Sequence, residues 1–162
     1  PGRPMGLVRQ FHQTYSVPDR LAEHAAPTLD YERLGMRVAL VSEEYAELIG
    51  AVYGPAARSL VEEAARAAAD ADEGVRDVVE AADALADLVY VAYGMAVESG
   101  IDLDRVLAEV QASNLSKLMP DGTVRLRGDG KVLKGPGFFP PDVRRALGLG
   151  GGAGSQAGPG PP

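Results

Sequence analysis

The stretch EAADALADLVYVAYG, residues 80–94, decides how the rest of the chain is read. Three carboxylates, Glu80, Asp83 and Asp87, lead into a run of apolar side chains, and as a helix they fall within about 60° of one face. The density of Leu, Val and Tyr behind them predicts a central helix packed on several sides, with Asp87 the acid most enclosed. Enclosed carboxylates need a positive partner, or their ionised form is driven off. The nearest basic residue, Arg76, lies one turn before Glu80 and two turns or more from Asp83 and Asp87.

Working outward, the punctuation predicts an all-α bundle of about five helices. The expected spans are 6–15, 29–53, 56–69, 75–99 and 103–118. Gly54-Pro55 ends the second, Gly100 stops the fourth, and Asp102 is placed to cap the fifth. After Pro120 the texture changes. DGTVRLR and GDGKVLK alternate around Asp-Gly pairs, which predicts a small basic β-hairpin, and GPGFFPPD follows as a loop with aromatic anchors. Residues 1–6 read as leader-like, 7–147 as one domain, and the Gly/Pro-rich 148–162 as a disordered tail.

The second expected helix carries EEYAE, with Glu43, Glu44 and Glu47 in an arc of about 100°. Leu34, Val38, Val41, Tyr45, Leu48 and Val52 fall within about 80° of one another and form the predicted core stripe. Met36, Leu40, Gly50 and Ala51 share the side of the acids, which a purely solvated face would not be expected to do. Two acid groups on two helices, with Arg37 and Arg76 one to two turns away, point to a divalent cation. All-oxygen ligation favours Mg²⁺, or Mn²⁺, over Zn²⁺. A di-iron carboxylate site would need Glu-x-x-His pairs, and His12 and His24 stand in no such spacing.

Composition removes several classes. With no Cys in 162 residues there is no disulfide scaffold, thiolate metal site or cysteine nucleophile. The longest apolar run, 88–97, is too short to span a bilayer, and the first ten residues lack a signal-peptide core, so a cytoplasmic chain without membrane contact is expected. The net charge of −7 divides unevenly: residues 1–113 hold 9 Lys/Arg against 20 Asp/Glu, and residues 114–162 hold 7 against 3. An acidic body with a basic C-terminal segment argues against nucleic-acid binding and suits a site where one part holds a cation and another an anion.

Taken together, EEYAE, ALADLVYVAYG, GIDLDRVLAEVQASNLSK and DGKVLKGPGFFPPD resemble the all-α nucleoside triphosphate pyrophosphohydrolases. That superfamily includes MazG-like proteins, dimeric dUTPases and phosphoribosyl-ATP pyrophosphohydrolases, and the likeness, nearest the MazG-like branch, covers about residues 7–147. It implies an Mg²⁺-dependent hydrolase that cuts a nucleoside triphosphate into monophosphate and pyrophosphate. Glu43, Glu44 and Glu47 match the family's EExxE ligands, and Asp87 matches the Asp of its ExxD. The Glu of ExxD should fall at Ala84, so Asp83, one turn from Asp87, is the expected substitute, ahead of Glu80.

Under this resemblance the metal held by Glu43, Glu44, Glu47, Asp83 and Asp87 would neutralise the triphosphate and acidify a bound water, with Glu44 or Glu47 as general base. Asn114 and Lys117, in NLSK, and Lys131 and Lys134, in DGKVLKGP, are the expected substrate-binding residues. Phe138 and Phe139 either anchor their loop or stack on a base. The apolar helix faces and the resemblance together predict a homodimer or homotetramer. The substrate expected is dUTP or another non-standard nucleotide, with phosphoribosyl-ATP the alternative. A metal-stabilised helical interaction module without turnover is the competing reading from another class.

Overall fold

The computed structural model describes residues 3–128 and 130–150. The regular elements among the described residues are helices: α1 Pro4–Thr14, α2 Leu34–Tyr53, α3 Pro55–Asp70, α4 Val78–Glu98, α5 Leu103–Leu115 and a single turn, α6 Val143–Ala146. The all-α expectation holds, and the five longer helices are the five predicted. Of the leader-like residues, 4–6 belong to α1, while 1 and 2 lie outside the described residues, as do 151–162 of the expected tail. Among the described residues no single helix is long and apolar enough to cross a membrane.

The chain forms two compact units, Ala26–Ala86 and the residues up to Ala25 with those from Asp87 onward; α4 runs from the first into the second. In Ala26–Ala86, α2 and α3 pack along each other. Gly54, at φ 101°, turns the chain and Pro55 starts α3 at the position where a missing N–H costs nothing. Close approach follows from small residues. Ala46 is buried, and a side chain on Gly50 would bring its Cβ to 3.0 Å from Cβ of Arg58. Solvent is lost along Ser42, Ala46 and Gly50 on α2 and along Ala57, Val61 and Ala65 on α3, two rows at four-residue spacing.

This corrects the predicted core stripe of α2. Val38 is 57% exposed, and Val41, Tyr45, Leu48 and Val52 are exposed with it, whereas Met36, Leu40 and Gly50, beside the acids, are half-buried. Both flanks of α2 are apolar, and α3 chose the one whose small residues let two backbones come close. Helix α2 also begins at Leu34 rather than at 29. Thr28 Oγ1 accepts from Asp30 N–H at 2.9 Å, and Leu34 N–H donates to Tyr31 O at 3.1 Å, turns that hold 28–33 out of the helix. The larger surprise is α4. Its expected central position is not what the single chain shows: Leu85, Leu88, Val89, Tyr90, Val91 and Val97 are all exposed, Tyr90 by 81%, and Asp87 is exposed with them.

In the other unit, α1 packs on α5 and α6 on α5. Tyr15, Val17 and Val132 form the core there, with Phe11, Leu115, Leu118 and Val124 against them. The end of α4 follows its sequence: Gly100, at φ 70°, lets Ile101 N–H reach back to Ala96 O at 2.8 Å, and Asp102 caps α5 by accepting from Arg105 N–H. The expected hairpin is reduced to one antiparallel bridge between Leu126 and Val132, flanked by Arg127 N–H to Lys131 O at 2.7 Å and Leu133 N–H to Arg125 O at 2.8 Å. Only Val132 of its apolar side chains is buried, too little to support a longer ladder.

Candidate active site

Glu43, Glu44 and Glu47 stand exposed in the middle of α2. Arg58, the first α3 residue to cross Gly50, holds two carboxylates at once: its Nη2 lies 3.6 Å from Glu47 and its Nε donates to Glu62 at 3.1 Å. An exposed pair at 3.6 Å contributes about 0–1 kcal/mol, so it steers Glu47 without removing it from other cations. Glu43 borders an open groove of about 740 Å³ between the first half of α2 and the second half of α3. Leu34, Val38, Ala39, Ala65 and Ala69 line its apolar part, and Arg66, Asp72 and Arg76 its polar part.

On α4 the acids divide by role. Asp77 precedes the helix and accepts from Val79 N–H at 3.1 Å and Glu80 N–H at 3.0 Å, while Glu80 sits in the first turn, where the helix dipole favours a negative charge. Both are accounted for as helix-start residues. Asp83 and Asp87 follow one turn apart, exposed and beyond the reach of that effect. Among the described residues, no three His, Asp or Glu side chains are gathered so as to hold a metal ion. The five candidate ligands are all carboxylates, the hard oxygen chemistry that suits Mg²⁺ or Mn²⁺.

The basic segment is built onto the end of α5. Tyr15 Oη donates to Asn114 O at 2.6 Å, Ser113 Oγ donates to Phe139 O at 2.8 Å, and Ser116 Oγ accepts from Phe139 N–H at 3.1 Å. Asn114 and Lys117 are thereby half-buried, with Lys131 also half-buried and Lys134 exposed. Burial first, then the charges of Lys131 and Lys134, hold the Lys117 ammonium below the ordinary lysine range. The three lysines therefore share one neighbourhood, a region of positive potential suited to an anion. Lys134 Nζ sits 4.6 Å from the centre of the Phe138 ring, so Phe138 is occupied as a cation partner, and Phe139 anchors its loop through its backbone.

Sequence reasoning missed Arg58 and the groove. The signal was there in the alanine-rich face of α3, which leaves room where larger residues would fill the space between the helices.

The phosphoribosyl-ATP pyrophosphohydrolase family matches residues 8–114, a span that holds all five candidate ligands and Asn114 and ends before the lysines. A crystal structure of a candidate NTP pyrophosphohydrolase from Exiguobacterium sp. 255-15 is similar at 27% identity and a TM-score of 0.65, over 91% of this chain and 95% of that one. No protein of curated function is a significant match. Two thirds of the chain thus match one family, and a solved relative of the same class follows nearly the whole length: the chain belongs to the phosphoribosyl-ATP pyrophosphohydrolase family, in the all-α nucleotide pyrophosphohydrolase superfamily, and is a pyrophosphohydrolase.

Proposed function

We propose that the protein is an Mg²⁺-dependent nucleoside triphosphate pyrophosphohydrolase that releases pyrophosphate and a nucleoside monophosphate. The family match over residues 8–114 carries this reading, because it encloses Glu43, Glu44, Glu47, Asp83 and Asp87 together. These five carboxylates would hold the cation, and when bound it supplies charge for the phosphates and a more acidic water. Glu44 or Glu47 accepts the water's proton, Glu47 being steered by Arg58. Lys117, Lys131 and Lys134 receive phosphate oxygens, and Asn114 orients the substrate beside them. Mn²⁺ is the expected alternative metal.

Two substrates fit this chemistry: dUTP or another non-standard nucleotide, and phosphoribosyl-ATP, which the description of the matching family favours. A cytoplasmic location is proposed with either. The exposed apolar side chains of α2 and α4 support assembly as a homodimer or homotetramer. Pyrophosphate release from a panel of nucleoside triphosphates and phosphoribosyl-ATP, with Mg²⁺ present, tests the reading; no release from any of them, with Mg²⁺ still bound, would overturn it.

A further inference from the structure

The α2–α3 groove has a use that the acids and lysines do not exhaust. At about 740 Å³ it lies within the size range of small-molecule sites, and its apolar lining comes largely from alanines. Two helices bearing small side chains leave a slot in which a flat ring can lie, and Tyr31 stands at its rim. Charge decides which end of a nucleotide enters. Five carboxylates, Asp30, Glu32, Glu43, Glu62 and Asp72, border the groove against Arg66 and Arg76. Arg76 is committed to Asp72 through two bonds of 2.8 and 2.9 Å. Phosphates are repelled from such a rim. A base and sugar are not, and the groove borders Glu43, the first of the EEYAE acids, so a base lodged there leaves its phosphates at the acids of α2.

The same rim reads the base edge. Glu62 and Asp72 are held by arginines and Glu43 is given to the metal, which leaves Glu32, and Asp30 in the field of Arg76, as acceptors. Adenine and cytosine present an exocyclic amino donor, whereas uracil and thymine present a carbonyl oxygen at the same place. A carbonyl set against carboxylates loses its water without gaining a donor. We propose that the α2–α3 groove is the nucleobase subsite and that it selects bases carrying the adenine 6-amino or cytosine 4-amino group, which moves dUTP behind adenine and cytosine nucleotides. The proposal rests on the nucleotide pyrophosphohydrolase reading and adds the base class to it.

The protein has no tryptophan, so Tyr31→Trp installs a single fluorophore at the rim. Titration of this full-length variant with AMP, CMP and UMP, with Mg²⁺ present, is expected to quench its emission, with AMP or CMP bound at least about tenfold more tightly than UMP. Ala69→Trp, at an exposed position of α3, is expected to fill the slot. It should raise KM for the preferred triphosphate about tenfold or more, with kcat changed less than about threefold. Asp30→Asn with Glu32→Gln should narrow the gap between CMP and UMP. Absence of quenching by any of the three nucleotides, or an unchanged KM in Ala69→Trp, overturns the subsite. UMP bound as tightly as AMP and CMP overturns the base selection. A shift of Ala69→Trp to a smaller assembly in solution overturns it too, since the groove would then be covered by a second copy. Quenching by AMP or CMP in a protein that hydrolyses no triphosphate supports the groove and overturns the activity, so the two failures are told apart.

Discussion

Gly135→Ala is the sharpest test of how the basic segment is held. Gly135 is buried where the chain returns to the end of α5, and its N–H donates to Lys117 O at 2.9 Å. A Cβ built on it overlaps the carbonyl oxygen of Leu118, lies 2.8 Å from that carbonyl's carbon and 3.0 Å from the oxygen of Lys117. All three are backbone atoms, so no side-chain rotation relieves the clash. Overpacking of this kind costs about 1–3 kcal/mol, and displacement leaves a buried N–H short of its acceptor at about 1–3 kcal/mol. The two overlap, and about 2–4 kcal/mol in total is expected, a drop in Tm of about 5–15 °C if the chain unfolds as one unit. Calorimetry gives the first number. Hydrogen exchange at position 135 shows whether the loop opens alone. Because the strain falls on Lys117 and Leu118, KM for the triphosphate should rise as well. Gly137→Ala is the control, since nothing lies within 4 Å of its added Cβ. A Gly135→Ala protein melting within about 1 °C of the parent, with position 135 still protected, would refute the close approach.

Other outcomes follow from the site. Asp87→Asn should abolish pyrophosphate release while leaving the helical circular dichroism intact. Asp83→Asn should cripple turnover, whereas Glu80→Gln should lose only the helix-start term of about 0.3–1 kcal/mol, read as a small change in Tm with activity retained. Lys117 has a pKa lowered by burial and by Lys131 and Lys134, so its charged form is disfavoured on folding. Its penalty is therefore full at low pH and is relieved as pH rises from the lowered pKa toward the ordinary lysine value. Lys117→Met should accordingly raise Tm near neutral pH while it raises KM, and should flatten the climb of the parent's KM with alkaline pH; a lowered Tm with unchanged KM would deny both the strain and the anion role. Sedimentation over a range of concentrations should show self-association, weakened by Tyr90→Glu.

Local signals read well in this chain because each is satisfied within a few residues. Gly54-Pro55, Gly100 and the Asp102 cap each act through φ, a missing N–H or one hydrogen bond, and all three appear where their residue types require them. The start of α2 was misread because Thr28 and Asp30 compete for the backbone through their side chains, a contest that apolar periodicity does not register. Which face of α2 is covered could not be read from periodicity either. Both faces are apolar, and the choice fell to the fit of Ser42, Ala46 and Gly50 against α3, a property of two helices together.

The site divides in the same way. Residue type and spacing suffice to gather Glu43, Glu44 and Glu47 on one helix and Glu80, Asp83 and Asp87 on another, because one helix fixes those relations. Ranking Glu80 below the two aspartates came from the family resemblance, and its place in the first turn of α4 from the fold. Arg58 is different: its hold on Glu47 depends on Gly50 letting α3 approach, so the residue that steers a candidate base is legible only once two helices are docked. The same reasoning bears on α4. A helix with Leu85, Leu88, Val89, Tyr90 and Val91 in water is marginal by itself, so what covers those side chains also fixes Asp83 and Asp87, which lie among them. Self-association and acid positioning are therefore one question, and Tyr90→Glu should lower turnover in step with the loss of assembly, even though Tyr90 is neither a proposed ligand nor a groove residue.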